Sequence, residues 1–381
     1  MQTWAEWEYR FFDALEFLGA RKAFGQHSRH VVVYAPGHFG DFLQLTPMLR
    51  SLREKLPRDK ITWLIGGWNM ELARRYAEWA DDIVEFSPRK DTLLRGEKRW
   101  MQSVARQWRC LRDLRAEGID LLLNPMPEDP IARFVSNTLR PRLWVGVGDR
   151  RPPRVRDDIE TIMVPFEKNR PEAEAQLALL ARAGLPAGEN DTSESSPVFT
   201  VTDGERAWAA TFLEEEAIAD RPLALLAPGS GWSGKNWPAE RFAELAGRLQ
   251  LRGLEVVWTG GASEKNLCRG PGRNWMGKLT LWQLAAVMER AAVWIGNDCG
   301  PMHLAVAVGC RTVSFWGPTN EHKWGGLGAK HVKLRGMGPC PGCIYWDWRR
   351  ECPKTGHPCM TAIGVDEAER KALEMLAAKE S

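Results

Sequence analysis

Short apolar runs alternate with stretches of helical spacing along most of the chain. HVVVYA, starting at His30, leads into a glycine-containing turn and then a helix read from Leu43 to Leu56. ITWLIG, IVEF, IDLLLN and LWVGVG repeat the short apolar theme, as strands buried on both faces do. Helical intervals separate them, so the pattern predicts an α/β fold built on parallel sheet. A second series begins with PLALLAP, Pro222 to Pro228, and continues through LEVVWTGG, AAVWIGND, RTVSFWGP and HVKLR. Between the two series lie a helix over about 171–183 and the segment GLPAGENDTSESSP, rich in breakers and small polar residues. The expectation is two doubly wound, Rossmann-like parallel-sheet domains facing a cleft. The first spans 29–187 and the second 198–365, joined by a linker over 188–197 and followed by a C-terminal helix over 366–381. In such sheets ligands sit beyond the C-terminal strand ends, which directs attention to the loops.

Residues 1–28 read as a helical extension, with Trp4, Trp7, Phe11, Leu15 and Leu18 at helical spacing. Glu6, Glu8, Asp13 and Glu16 interrupt the segment, so it does not resemble a secretory signal. It reads as a helix packed on its own domain, with a membrane-surface or subunit contact as the alternative. Composition adds that the chain is globular, at 44% apolar and 27% charged residues, which excludes disorder and coiled coil. A formal charge of +3 gives no support to nucleic acid as a partner. No segment approaches the roughly 18–20 apolar residues that span a bilayer, and a cytoplasmic chain is expected. The nineteen Trp residues fall at ordinary core and surface positions, and their number is not read as evidence of sugar binding.

Three loops carry the candidate chemistry. After HVVVYA, Gly37 and Gly40 permit a tight turn, and Asp41 stands where the next helix begins. Asp41 is either an N-terminal helix residue that caps amides or a carboxylate base. The GxGxxG dinucleotide fingerprint is missing from this loop. After PLALLAP, a Gly/Ser-rich loop runs to Lys235, with Pro238 near the start of the next helix and Gly253 at its end. Loop amides, a helix N-terminus and a lysine make an anion site, although the spacing is not that of a P-loop. The third loop, Gly296 to His303, turns from a strand ending at Ile295 into a helix, with Pro301 as its first residue. Asp298 is placed there to accept hydrogen bonds from hydroxyls. His303 is either a phosphate donor or a structural histidine.

Together these loops resemble the ADP-heptose:lipopolysaccharide heptosyltransferases, glycosyltransferase family 9. The likeness lies in GDFLQLTPMLRSLREKLP, PGSGWSGKNWPAERFAEL, GGASEK and LTLWQLAAVMERAAVWIGNDCGPMHLAVAVG…VSFWGPT. It implies the two-domain GT-B fold and inverting transfer of heptose from ADP-heptose without a catalytic metal. It assigns Asp41 as general base, and it places Ser230 and Lys235 in the donor phosphate loop and Glu264 near the nucleotide ribose. Asp298, Gly300 and His303 fall in the element that contacts donor sugar and phosphates. Cys299 departs from the usual Ser or Thr, and a thiol is a poorer hydrogen-bond donor.

The implied acceptor is an anionic lipopolysaccharide core glycolipid. Between Arg89 and Arg156 sixteen Lys and Arg face eight acids, which suits an anionic acceptor and peripheral contact with the inner membrane, or is simply a solvated basic face. Related enzymes heptosylate proteins, so a polypeptide acceptor is an alternative, as are another nucleotide-sugar transferase or a noncatalytic assembly protein. Cys340, Cys343, Cys352 and Cys359 form C-x2-C-x8-C-x6-C, spacing suited to structural zinc or iron, with His357 able to replace one thiol. Unligated thiols and disulfides are the other readings. Some members of the family carry iron at such clusters. The cluster would staple a long excursion or a subunit contact in a homo-oligomer.

Overall fold

A computed structural model describes residues 29–87, 97–126, 130–148, 155–185, 195–336 and 357–377, with 97–104 and 130 described by backbone alone. The expected extension over 1–28, most of the expected linker, several of the basic residues between Arg89 and Arg156, and Cys340, Cys343 and Cys352 lie outside the described residues. The chain divides into two units. One runs to Lys168 and includes Ala173–Ser195, and the other comprises Asn169–Glu172 and the chain from Ser196 onward.

The first unit contains β1 (His30–Ala35), α1 (Phe39–Lys55), β2 (Lys60–Ile65), α2 (Met70–Arg74), β3 (Asp82–Glu85) and α3 (Glu97–Glu117). It continues with β4 (Leu121–Asn124), α4 (Pro130–Leu139), β5 (Leu143–Val147), β6 (Glu160–Val164) and, from Ala173 on, α5 (Glu172–Arg182). Its strands form one sheet in the order β3-β2-β1-β4-β5-β6, with every pairing parallel. All six residues of β1 are buried, which explains the uninterrupted apolar run: helices cover both faces of a central parallel strand.

α1 starts at Phe39, four residues earlier than the apolar spacing indicates, because its first turn holds Gly40 and Asp41. Pro47 sits inside this helix. Its ring nitrogen cannot donate to the Leu43 carbonyl, and the Thr46 hydroxyl donates to that oxygen instead, at 2.7 Å. The helix therefore continues through a residue that ordinarily ends one.

The second unit contains α6 (Asp203–Glu215), β7 (Leu223–Ala227), α7 (Ala239–Leu251), β8 (Glu255–Trp258), β9 (Arg273–Asn274) and α8 (Leu281–Arg290). Then come β10 (Val293–Asn297), α9 (Gly300–Ala307), β11 (Thr312–Trp316), α10 (Glu321–Trp324), β12 (His331–Arg335), α11 (Pro358–Thr361) and α12 (Val365–Ala377). The sheet order is β12-β11-β10-β7-β8-β9, again parallel throughout. Each sheet thus has the doubly wound order, in which the chain leaves a central strand first to one side and then to the other. The switch points are β1/β4 and β7/β10, the places where loops diverge and leave room for a ligand.

Trp63 and Trp144 are sealed in the first unit, and Trp237, Trp258, Trp294 and Trp316 in the second, none more than 1% exposed. In the second core Trp237 packs at 4.4 Å on Phe315 and edge-on at 4.9 Å to Phe242. Its indole N–H donates to the Ile363 carbonyl at 3.0 Å, so the polar end of the ring is satisfied as well.

Candidate active site

The loop after β7 is tied at both ends to the end of β10. Asn297 donates from Nδ2 to the Pro228 carbonyl at 2.8 Å and accepts from the Trp237 amide at Oδ1 at 2.9 Å. Inside the loop, Ser230 Oγ donates to the Trp232 carbonyl at 2.7 Å and lies 2.5 Å from Asn236 Oδ1. Ser230 thus holds the turn in shape. Gly229 is held to glycine by a close approach, since a Cβ there would collide with the Glu264 carboxyl. Glu264, on the short 3-10 helix Ala262–Leu267 after β8, is fixed by accepting the Gly261 amide at 2.7 Å.

β10 extends through Asn297, two residues past the Ile295 expected from sequence, and delivers Asp298 directly to the switch point. Asp298 is 5% exposed and pairs with Lys235 Nζ at 3.1 Å, while His303 Nε2 stands 4.0 Å from its other oxygen. Burial alone would raise the Asp298 pKa. The charges of Lys235 and His303 and the Lys235 hydrogen bond outweigh it and hold the carboxyl below the usual range. Gly300 opens α9, with Pro301 directly after it, where the missing amide costs nothing. Cys299 precedes the helix, and burial pushes its thiol up to about 12, so it stays protonated.

Ser230, Glu264, Cys299 and Gly300 line a single cavity of about 320 Å³. Trp275, Leu279, Leu281, Leu284 and Pro301 supply its apolar wall, while Gly229–Gly231, Glu264 and Thr280 supply polar groups. A flat aromatic ring joined to a hydroxyl-bearing group fits such a lining, and Lys235, outside the lining but paired with Asp298, offers a cation to an anionic substituent. Asn297, which ties the loop to the strand, and the apolar wall were not among the expected site residues. Asn297 stands next to Asp298 in the motif, but nothing in its spacing shows that it braces a loop some seventy residues away.

In the first unit, Asp41 lies in the first turn of α1 at the β1/β4 switch point and accepts the His38 amide at 2.7 Å through Oδ2. This is the capping role. A carboxylate has four lone-pair sites, so further acceptor capacity remains. Of the proposed metal residues, Cys359 is described: it is 3% exposed in α11, and its Sγ lies against Gly317. His357 stands edge-on to Trp232 at 6.1 Å. Among the described residues no group of three His, Cys, Asp or Glu could hold a metal. The described part of the basic run is partly neutralised by Arg112–Asp113, Arg142–Asp120 and Arg156–Asp158.

Two parallel doubly wound sheets, the second carrying a glycine-rich loop, a buried Asp–Lys pair and a cavity at its switch point, define the GT-B class. Residues 108–344 match glycosyltransferase family 9 (heptosyltransferase), and the chain belongs to that family. It is similar to lipopolysaccharide heptosyltransferase 3 of Escherichia coli, 25% identical over 300 residues that cover 75% of this chain and 82% of the relative. Its fold matches a glycosyltransferase family 9 structure from Veillonella parvula, with a TM-score of 0.71 and 23% identity over 93% of this chain and 99% of the other. It also matches the E. coli heptosyltransferase WaaC with ADP, with a TM-score of 0.65 and 18% identity over 91% and 99% of the two chains.

Proposed function

We propose that the chain transfers heptose from ADP-heptose to a hydroxyl of an anionic lipopolysaccharide core acceptor, with inversion at the anomeric carbon. The observation that carries this is that three separate loops meet at the β7/β10 switch point: Ser230 and Glu264 line its cavity with Cys299 and Gly300, and Lys235 pairs with Asp298, the residue directly before Cys299. The names of the related proteins, a lipopolysaccharide heptosyltransferase and a heptosyltransferase with ADP, support the choice of substrates.

In this reading the apolar wall takes the adenine and Glu264 accepts from the ribose hydroxyls. Lys235 is then drawn partly from Asp298 to the diphosphate, and Asp298 is released to accept from a sugar hydroxyl. In the same reading His303 and the amide of Gly300, at the start of α9, donate to phosphate oxygens. Asp41 takes the proton of the acceptor hydroxyl as its oxygen attacks the anomeric carbon. The C1–O bond to the diphosphate breaks, and the bonding pair leaves with ADP. Lys235 and the helix N-terminus stabilise the negative charge that develops on the departing phosphate. No cofactor takes part in this scheme, and the C-terminal thiols are assigned a structural zinc or iron outside the chemistry.

The test is transfer from ADP-heptose to a panel of truncated core glycolipids, with product mass and anomeric configuration determined. Asp41→Asn should bind donor normally and lose about 10²–10⁴ in turnover, the range of a positioned base. Near-normal turnover in that variant would sink the assignment, and retention of configuration would sink the mechanism.

A further inference from the structure

Trp68 differs from the other tryptophans of its sheet. Trp63, five residues earlier on β2, is fully buried, whereas Trp68 is 38% exposed and is the one aromatic among the large exposed hydrophobic side chains of the described residues. It sits on the single turn Gly67–Asn69, directly after the C-terminal end of β2. β2 neighbours β1, so this turn lies beside the loop that carries Asp41.

Its ring is fixed in place by three features. The indole N–H donates to the Gly37 carbonyl at 2.7 Å, and Asn69 Nδ2 donates to the same oxygen at 2.9 Å. Part of the ring lies on the backbone of Gly66, where a Cβ would come within 2.6 Å of it. The exposed His38 ring stands alongside, 5.8 Å away and tilted by 31°. The turn is braced from β3, since the Gly67 amide donates to Ser87 Oγ at 2.6 Å.

Gly37 joins this feature to the base. Its carbonyl holds Trp68, while a Cβ on the same residue would meet Asp41 Cβ at 2.6 Å and Oδ2 at 2.9 Å. Trp68 is thus hydrogen-bonded to Gly37, and Asp41 packs against the same glycine while accepting the amide of the next residue, His38, so ring and carboxylate are held on one short stretch of backbone. An indole held this way presents an apolar, electron-rich surface with its ordering entropy already spent. The C–H bonds on one face of a pyranose carry partial positive charge and pack on such a surface, leaving the ring hydroxyls to reach a neighbouring carboxylate.

We infer that Trp68, with His38 beside it, is the platform on which the acceptor sugar ring rests while Asp41 takes its hydroxyl proton. This rests on the reading of Asp41 as the base. Trp68 is a specificity-determining residue for the acceptor and takes no part in donor binding.

The test uses the full-length protein, ADP-heptose and a lipid-free core oligosaccharide. Trp68→Ala should raise the acceptor KM about tenfold, the scale of losing one aromatic contact, with the donor KM within about twofold of the parent. Trp68→Phe keeps the aromatic face but loses the bond to Gly37, and should hold the acceptor KM within about threefold of the parent. An unchanged acceptor KM in Trp68→Ala overturns the inference, as does a rise in donor KM or an effect seen only with acceptor embedded in vesicles. A drop in turnover equal in Trp68→Phe and Trp68→Ala at constant acceptor KM also overturns it, because that outcome makes Trp68 a mere anchor of Gly37. Asp41→Asn, run alongside, separates the two claims. Full turnover there removes the reading beneath the inference, whereas an inactive Asp41→Asn with an unaltered acceptor KM in Trp68→Ala overturns the platform alone.

Discussion

A carboxylate that is 5% exposed must find a cation or take up a proton, and Asp298 has Lys235 at 3.1 Å. The same lysine is 19% exposed at the side chain, so it can turn to an incoming anion without losing its charge partner entirely. Lys235→Ala should therefore lower kcat/KM by about 10²–10³, as removal of a preorganised charge donor does. It should also lower the melting temperature of the unliganded protein, since the buried Asp298 carboxylate then loses its lysine partner at 3.1 Å. Steady-state kinetics and thermal denaturation read the two effects separately. Asp41 teaches the complementary lesson. Both roles open to it from sequence, amide cap and base, are compatible with its geometry, because one oxygen caps His38 while acceptor capacity remains.

At the level of elements, the central strands were plain as apolar runs, but β6 and β9 were not. β6 reads ETIMV and is exposed at its first residue and half-buried over the next three, as an edge strand is, so it lacks the uninterrupted pattern. β9 is two residues long, too short for any period to register. The start of α1 agrees with the position of Asp41 in the sequence, but its apolar spacing becomes regular only from Leu43, because the first turn includes Gly40 and Asp41. β12 yields a pH prediction. His331 is packed against Gly326 with Nδ1 at 3.0 Å from Thr312 Oγ1, and burial, followed by Lys333 and Lys330, lowers its pKa from 6.5 to about 4. The unfolded chain therefore binds a proton more readily than the folded one between these values. The stabilisation is fully present above about pH 6.5 and is lost as pH falls toward 4, amounting to about 1–3 kcal/mol. Urea titrations across that range should show the decline, and His331→Gln should flatten it.

For the whole molecule, the open question of composition is the cysteines. Four thiols within twenty residues suit a tetrahedral metal, and Cys359 is held in α11 near the donor loop, where His357 meets Trp232. Elemental analysis of protein purified under reducing conditions should find about one zinc or iron per chain. Replacing Cys340 and Cys343 together by Ser should abolish the metal while leaving the donor residues in place. Absence of metal in the parent protein would reject the site.

The apolar runs determined the α/β class and the doubling of the sheet, because a strand covered on both faces has no choice but to be apolar. The glycine and proline punctuation likewise exposed the loops after β1, β7 and β10. The motifs carried by those loops were legible because they are local. Tertiary structure decided what those loops do to one another: that Asn297 braces the turn before Trp237, that Lys235 meets Asp298, and that Glu264 forces a glycine at position 229. It also decided that Trp63 is buried while Trp68 stays at the surface, since the two look alike in the sequence. Each of these contacts joins residues brought together by strand order, and strand order is set by which surfaces bury best in the assembled sheet. A linear pattern records how apolar each segment is, but not its neighbour.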